Sequence, residues 1–189
     1  MNPSVRSKCA ALFGAAMLLL ALCAAEAAAG QKGRGQRQAA GEQADPLVRG
    51  AKVLAAGVFV SSVVRRERSD AVADGIRDEA RDFRLVRRGT AVAGVLGEGV
   101  GLRYRIEGEP QGAKVLVDVV VRHPAMVNPD TQLPMTVSSA QFERTIGAVE
   151  HALWNFDTPG SLMPGAYTLE VLHKGKVLAR QSFQVRAKK

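Results

Sequence analysis

The chain has 189 residues, with 26 Lys and Arg against 18 Asp and Glu, a net charge of +8 and 47% apolar content. Both of its cysteines, Cys9 and Cys23, fall within the first thirty residues. The region that follows therefore has no disulfide framework, no thiolate nucleophile and no cysteine-ligated metal, and its stability must come from an apolar core.

Residues 1–29 have the anatomy of a secretory signal. Arg6 and Lys8 form a positive start, Ala10 to Ala25 is apolar, and small residues place cleavage after Ala27 or after Ala29. A membrane span would need about 20 predominantly apolar residues, and this Ala-rich run is shorter. No transmembrane span is expected once the signal is removed. Lipid attachment at Cys23 is the lesser reading, because Leu22 stands where a small residue is normally required. Loss of Arg6, Lys8 and Glu26 leaves 24 basic residues against 17 acidic, a net charge of +7. The expected destination is the periplasm or another exported location.

Residues 30–46, "GQKGRGQRQAAGEQADP", lack any large apolar side chain and read as a flexible linker. From Leu47 to Lys189 the chain reads as one domain near the commonest domain size. Its densest charge, Arg65 to Arg88, sets eight Arg against six acids, Glu67, Asp70, Asp74, Asp78, Glu79 and Asp82. That mixture describes a solvated surface rather than a nucleic-acid footprint, and no nucleic-acid partner is expected. Weak attraction to an anionic envelope polymer fits the net charge.

Period-2 alternation dominates the domain. Val100, Leu102, Tyr104 and Ile106 share one face of a strand, with Arg103, Arg105 and Glu107 on the other; Val115, Val117, Val119 and Val121 do the same in the next. Matching the core faces of these two strands as a hairpin puts Glu107 opposite Lys114 and Arg103 opposite Asp118, with Gly108 to Ala113 as the loop. Further strands are expected at Val53 to Val64, Phe83 to Arg87, Met135 to Gln141 and His151 to Phe156. Val72, Ile76, Ala80 and Phe83 have helical spacing, but Gly75 interrupts it, so a loop with at most one or two helical turns is expected there.

The C-terminal stretch "LMPGAYTLEVLHKGKVLARQSFQV", from Leu162 to Val185, reads as a closing hairpin. Tyr167, Leu169 and Val171 form one core set; Val177, Ala179, Phe183 and Val185 form the other. A two-residue Lys174-Gly175 loop sets these faces in opposition. A three-residue loop, His173-Lys174-Gly175, pairs Val171 with Val177 and Leu169 with Ala179, and leaves Gly175 at a position needing positive φ. The whole pattern predicts an all-β, antiparallel, immunoglobulin-like β-sandwich of seven or eight strands.

Catalytic signatures are absent: there is no Gly-x-Ser-x-Gly, no His-Glu-x-x-His and no P-loop. "GVLGEGVG", Gly94 to Gly101, has the wrong spacing for a dinucleotide fingerprint and reads as a turn. His123, His151 and His173 are far apart in sequence and carry no metal-ligand pattern. No catalytic residue, metal or cofactor is assigned. Two irregular stretches hold more special residues than strands need: "RHPAMVNPDT", Arg122 to Thr131, and "HALWNFDTPGSLMPG", His151 to Gly165. Arg122, His123, Pro124, Asn128 and Trp154 are the candidate binding residues, with Arg103 and Arg105 expected on a nearby sheet face.

The same stretches, with "GVGLRYRIEGEPQGAKV", resemble a bacterial family catalogued as domain of unknown function three-eight-five-nine, over about Val58 to Val185. The specific combination is His123-Pro124, Asn128-Pro129, Pro164-Gly165 and Ser182-Phe183-x-Val185. Gly160-Ser161, Tyr167 and Val100 depart from the family pattern, which tends to Trp-Glu, Trp and Phe there. The resemblance implies an exported immunoglobulin-like sandwich and no known reaction. The functional expectation is an exported, non-catalytic binding or scaffolding module of the cell envelope, whose partner is a protein or an anionic envelope polymer. The alternatives are an envelope hydrolase centred on a histidine and a strand-exchanging secretion or pilus accessory protein.

Overall fold

Alternating apolar residues on successive strands must be covered on one face only, and two packed sheets meet that need. The computed structural model describes residues 45–187. The expected signal peptide and all but two residues of the expected linker lie outside the described residues. Nine strands are formed among the described residues: β1 (Leu47–Arg68), β2 (Ile76–Arg88), β3 (Ala91–Ala93), β4 (Gly99–Glu109), β5 (Lys114–Val127), β6 (Pro134–Thr145), β7 (Val149–Asn155), β8 (Gly165–His173) and β9 (Lys176–Arg186). One sheet has the order β2-β1-β4-β7 and the other β3-β9-β8-β5-β6. Every pairing is antiparallel except β3 with β9, a three-residue parallel contact. The result is an all-β, immunoglobulin-like sandwich, with β3 as the short strand beyond the expected count.

The two clearest alternations bury as expected. Val100, Leu102, Tyr104 and Ile106 of β4 are fully enclosed, and Val115, Val117, Val119 and Val121 of β5 meet them in one core. The strands are not, however, a hairpin. β4 pairs with β1 and β7, and β5 pairs with β6 and β8, so Glu107 lies opposite Gly50 and Arg103 opposite His151. Two consecutive half-buried strands can face each other across a core as readily as lie side by side, and residues 110–113 carry the chain from one sheet to the other. Lys114 finds Glu143 instead, and Asp118 accepts a hydrogen bond from Gln141.

The closing hairpin satisfies the face-matching argument by another device. Its loop has two residues, Lys174 and Gly175, both with positive φ (49° and 77°), the geometry of a type I′ turn. A bulge then shifts the register between Leu172–Val177 and Val171–Ala179. The extra residue, Leu178, restores agreement between the faces, so Ala179 rather than Val177 joins the core and Val177 stays exposed. Tyr167, at the start of β8, donates from its hydroxyl to the Met163 carbonyl at 2.7 Å. This is the tyrosine corner of immunoglobulin-like sandwiches, linking the strand to the loop that precedes it.

β1 is 22 residues long, and its halves do different work. Leu47 to Phe59 pair with β4, whereas Gly57 to Arg68 pair with β2. The β1–β2 hairpin is thus an arm extending beyond the sandwich sheet, bent by three register shifts. It curls back so that Phe83 stacks on His151 of β7 at 4.4 Å and Phe59 meets the same ring edge-on at 5.8 Å. The helical spacing of Val72, Ile76, Ala80 and Phe83 produces no helical turn: a tight turn runs to Gly75, and β2 starts at Ile76.

Two substitutions test these local readings. Tyr167→Phe leaves the Met163 carbonyl without its partner and is expected to lower unfolding free energy by about 1 kcal/mol. Lys174→Asn puts a residue tolerant of positive φ before Gly175 and is expected to raise it by about 0.5–1 kcal/mol. Urea titration of each variant measures both.

Candidate functional site

The arm closes on the sandwich at its tip, residues 69–75. Val72 and Ala73 enter the hydrophobic core. The backbone there would otherwise be stranded in an apolar setting, and three groups from β6 and the loop that precedes it receive it. Asn128 Nδ2 donates to the Val72 carbonyl at 2.8 Å, the Ser139 amide donates to the Ala71 carbonyl at 2.9 Å, and the Ala73 amide donates to Ser138 Oγ at 2.8 Å.

Ser138 Oγ also lies 2.9 Å from His123 Nε2, and His123 Nδ1 lies 2.8 Å from the Pro124 carbonyl. A carbonyl only accepts, so Nδ1 carries the proton, Nε2 is unprotonated, and the Ser138 hydroxyl donates to it. One proton arrangement therefore satisfies the whole chain. Burial lowers the His123 pKa, the Pro124 carbonyl opposing it only in part, which favours this neutral form.

The structure brings the singled-out residues together, but inside the molecule. His123 is 6% exposed and stacks on Trp154 at 4.9 Å across the core. Trp154 is 5% exposed and donates from Nε1 to the Ser161 carbonyl at 3.0 Å. Asn128 is fully buried; besides its bond to Val72, its Oδ1 accepts from the Asp130 and Thr131 amides, fixing the loop. Pro124 packs against Gly165, where a Cβ would come within 2.6 Å of the proline ring and φ is +146°, so both reasons require glycine. Arg122 alone is exposed, 3.7 Å from Glu170, which also pairs with Arg180 at 2.5 Å. Arg103 and Arg105 lie on the outer face of the other sheet, not near Arg122 as expected. β4 and β5 belong to different sheets, so their outward residues point to opposite sides of the sandwich.

The expected strands Val53 to Val64 and Phe83 to Arg87 lie within β1 and β2, but their union as an arm, and Ser138, were missed. Ser138 shares its face of β6 with Ala140 and Phe142, and a serine in an inward register is the available signal. A second link has no local signal at all. Arg66 of the arm forms two bonds with Asp78, at 2.7 and 2.8 Å, and one of 3.0 Å with Asp157, in the loop before β8. Arg68 is paired with Asp130. Between arm and body lies a cleft of about 550 Å³, lined by Val72, Asp74, Phe142, Trp154 and Asp157 among others.

Four groups around this closure are held away from their ordinary protonation. Burial and the neighbouring Asp78 push Asp157 up to about 6, and burial also raises Asp74. Burial, together with the charges of Arg103 and Arg144, pushes His151 down to about 4, and His123 is lowered. The native state thus binds the Asp157 proton more tightly than the unfolded chain, a contribution complete below about 4 and lost as pH rises through about 6. His151 acts in the opposite sense: the unfolded chain takes its proton first, so stability falls as pH drops from 6.5 towards 4. Over the shared window the two slopes oppose each other. The expected outcome is a weak pH dependence of unfolding free energy between pH 4.5 and 6. Asp157→Asn should expose a loss of stability on acidification, and His151→Phe a gain; thermal melts across that range measure both.

With this geometry in hand, three comparisons place the chain among known proteins. No curated protein matches it. A solved immunoglobulin-like protein from Pseudomonas aeruginosa is similar at 21% identity, covering 71% of this chain and 97% of that one, with a TM-score of 0.43. A Pseudomonas fluorescens alkylpurine DNA glycosylase, solved bound to DNA containing an abasic-site analogue, is similar at 23% identity over 52% of this chain and 28% of that one, with a TM-score of 0.34. Residues 47–185 match the family described as Domain of unknown function (DUF3859), and the chain belongs to that family.

Proposed function

We propose that the protein is an exported, non-catalytic binding or scaffolding module of the bacterial cell envelope. The observation that carries the non-catalytic reading is the state of Ser138. A serine with His Nε2 at 2.9 Å has the first contact of a hydrolytic dyad. Here the serine oxygen already accepts the Ala73 amide, it is 3% exposed, and the far side of the imidazole meets a carbonyl rather than a carboxylate. Ser138 borders the cleft between arm and body, but its oxygen is taken by the Ala73 amide and its proton by His123, so the pair fastens the arm. His151 has no such serine; its Nε2 is buried without a hydrogen-bond partner. Export is supported by the N-terminal signal pattern.

The strand-exchanging alternative is not favoured at three of the four sheet edges, β6, β2 and β3, which are covered, charged or short. β6 is met by the arm through Ser139 and by Arg77, which donates to the Gln141 carbonyl at 3.1 Å. β2 carries a charge at most of its positions and bends at bulges, and β3 has three residues.

Treatment with a fluorophosphonate probe, which labels activated serines, is expected to leave the protein unmodified. Ser138→Ala should lower unfolding free energy by about 1–3 kcal/mol, since it strands the buried Ala73 amide. Labelling that is stoichiometric and abolished by Ser138→Ala would overturn the reading.

A further inference from the structure

The two outer faces of the sandwich treat their cations differently. On the β5–β8–β9 face, Arg122 and Arg180 share Glu170. On the arm, Arg66, Arg77 and Arg87 each have an acid, namely Asp78, Glu67 and Glu98. Arg84 and Arg88 of the arm have no acid among the described residues, and on the β1–β4–β7 face three such cations gather together. Lys52 lies directly opposite Arg105, and Arg103 stands two residues along β4 on the same side. None of the three has an ion-pair partner among the described residues.

Like charges directly opposite across strands are destabilising, so this arrangement works against the fold. Arg103 carries a second cost: its Nε is buried and without a hydrogen-bond partner, and its cross-strand neighbour is His151 rather than an acid. Glu107, next along β4 on the same side, is the acid nearest in register, and it is bonded to none of them. Neighbouring strands are about 4.8 Å apart and alternate residues about 7 Å apart, so the Cα atoms of the three basic residues lie within roughly 10 Å of one another on one surface. The arm covers the other half of that face through Phe59 and Phe83 and thereby bounds the patch.

We propose that Lys52, Arg103 and Arg105 form a binding surface for an acidic glycan, an extended polymer whose repeating carboxylates supply the missing counter-charges. This inference rests on the reading of the protein as an envelope binding module and names the partner. Charge complementarity selects a polyanion. A glycan is favoured over a lipid surface because the exposed apolar side chains beside Lys52 and Arg105 are two valines, Val53 and Val149, too little to insert among acyl chains. His151 reports occupancy. Arg103 is one of the charges holding its pKa down, so a carboxylate placed on Arg103 raises it.

The test uses the full-length exported protein with polygalacturonate as probe, neutral dextran as blank and anionic phospholipid vesicles as the competing surface. Wild type should bind polygalacturonate with affinity that falls steeply with salt, and the bound polymer should move the His151 titration upward. Lys52→Glu combined with Arg103→Gln and Arg105→Glu should weaken binding at least tenfold, while Arg122→Gln on the opposite face changes it less than twofold. Lys52→Glu alone should raise Tm while weakening binding, because it turns a repulsive pair into an attractive one; this separates recognition from damage to the fold. Undiminished binding by the triple variant, an equal loss with Arg122→Gln, or tighter binding to vesicles than to polygalacturonate would each overturn the proposal. An unlabelled Ser138 beside failed glycan binding removes the glycan and leaves the non-catalytic reading standing; a labelled Ser138 beside retained binding does the reverse.

Discussion

The hydrogen bond from the Ala73 amide to Ser138 Oγ holds the arm of this molecule to its body. Without an acceptor there, a hairpin tip that carries Val72 and Ala73 into the core would bring an unpaired amide with it, and burying such a group is unfavourable. The acceptor must itself be satisfied, and His123 satisfies it; His123 must then settle its other nitrogen, and the Pro124 carbonyl does so. Trp154 stacks on that imidazole, and its own indole N–H turns to Ser161. A run of residues that reads as a ligand platform in one dimension is a chain of obligations in three, each polar group placed to cover the next.

That chain also explains why His123-Pro124, Asn128-Pro129 and Pro164-Gly165 occur together in this protein. His123-Pro124 supplies the serine's partner and a proline ring; Pro164-Gly165 supplies the one residue on which that ring can lie. Asn128 shapes its own loop through two amides and reaches the arm through a third contact. The dipeptides are distant in sequence and adjacent in space. Their specificity is that of a packing problem with few solutions.

The alternation of β4 and β5 was legible because burial on one face imposes a period of two, whatever lies beside the strand. The neighbour was not legible for the same reason: Val100 to Ile106 say which side is core, and nothing about whether β5 lies alongside or opposite. The closing hairpin shows the limit of parity. Its faces had to agree and do agree, but a bulge at Leu178 achieves this as well as a longer loop, and only the backbone distinguishes them. The arm was least legible. Its bulges break the period of two in β2, and its heavy charge conceals a strand behind what reads as a solvated loop. The site residues were found as a group because Pro, Asn, His and Trp are conspicuous; that they face inward depended on a partner, Ser138, whose strand gives little sign of the arm above it.

The arm's charges and the patch beyond it follow from a single division of labour. Arg66 and Arg68 lie where the arm returns to the body, and acids on the body or the arm receive them: Asp157, Asp78 and Asp130. A cation used in closure must be matched, because an unmatched one would favour the open form. Lys52, Arg103 and Arg105 lie on the half of the sheet that the arm leaves uncovered, where no closure constrains them. Their mutual repulsion brings the fold nothing, since replacing any one by an acid would relieve it. Features that oppose stability and are easily removed by substitution belong to what a protein does with its surroundings. On the β1–β4–β7 face they gather in one patch, and the constellation that first suggests chemistry, His123 with Ser138, is accounted for by the fold.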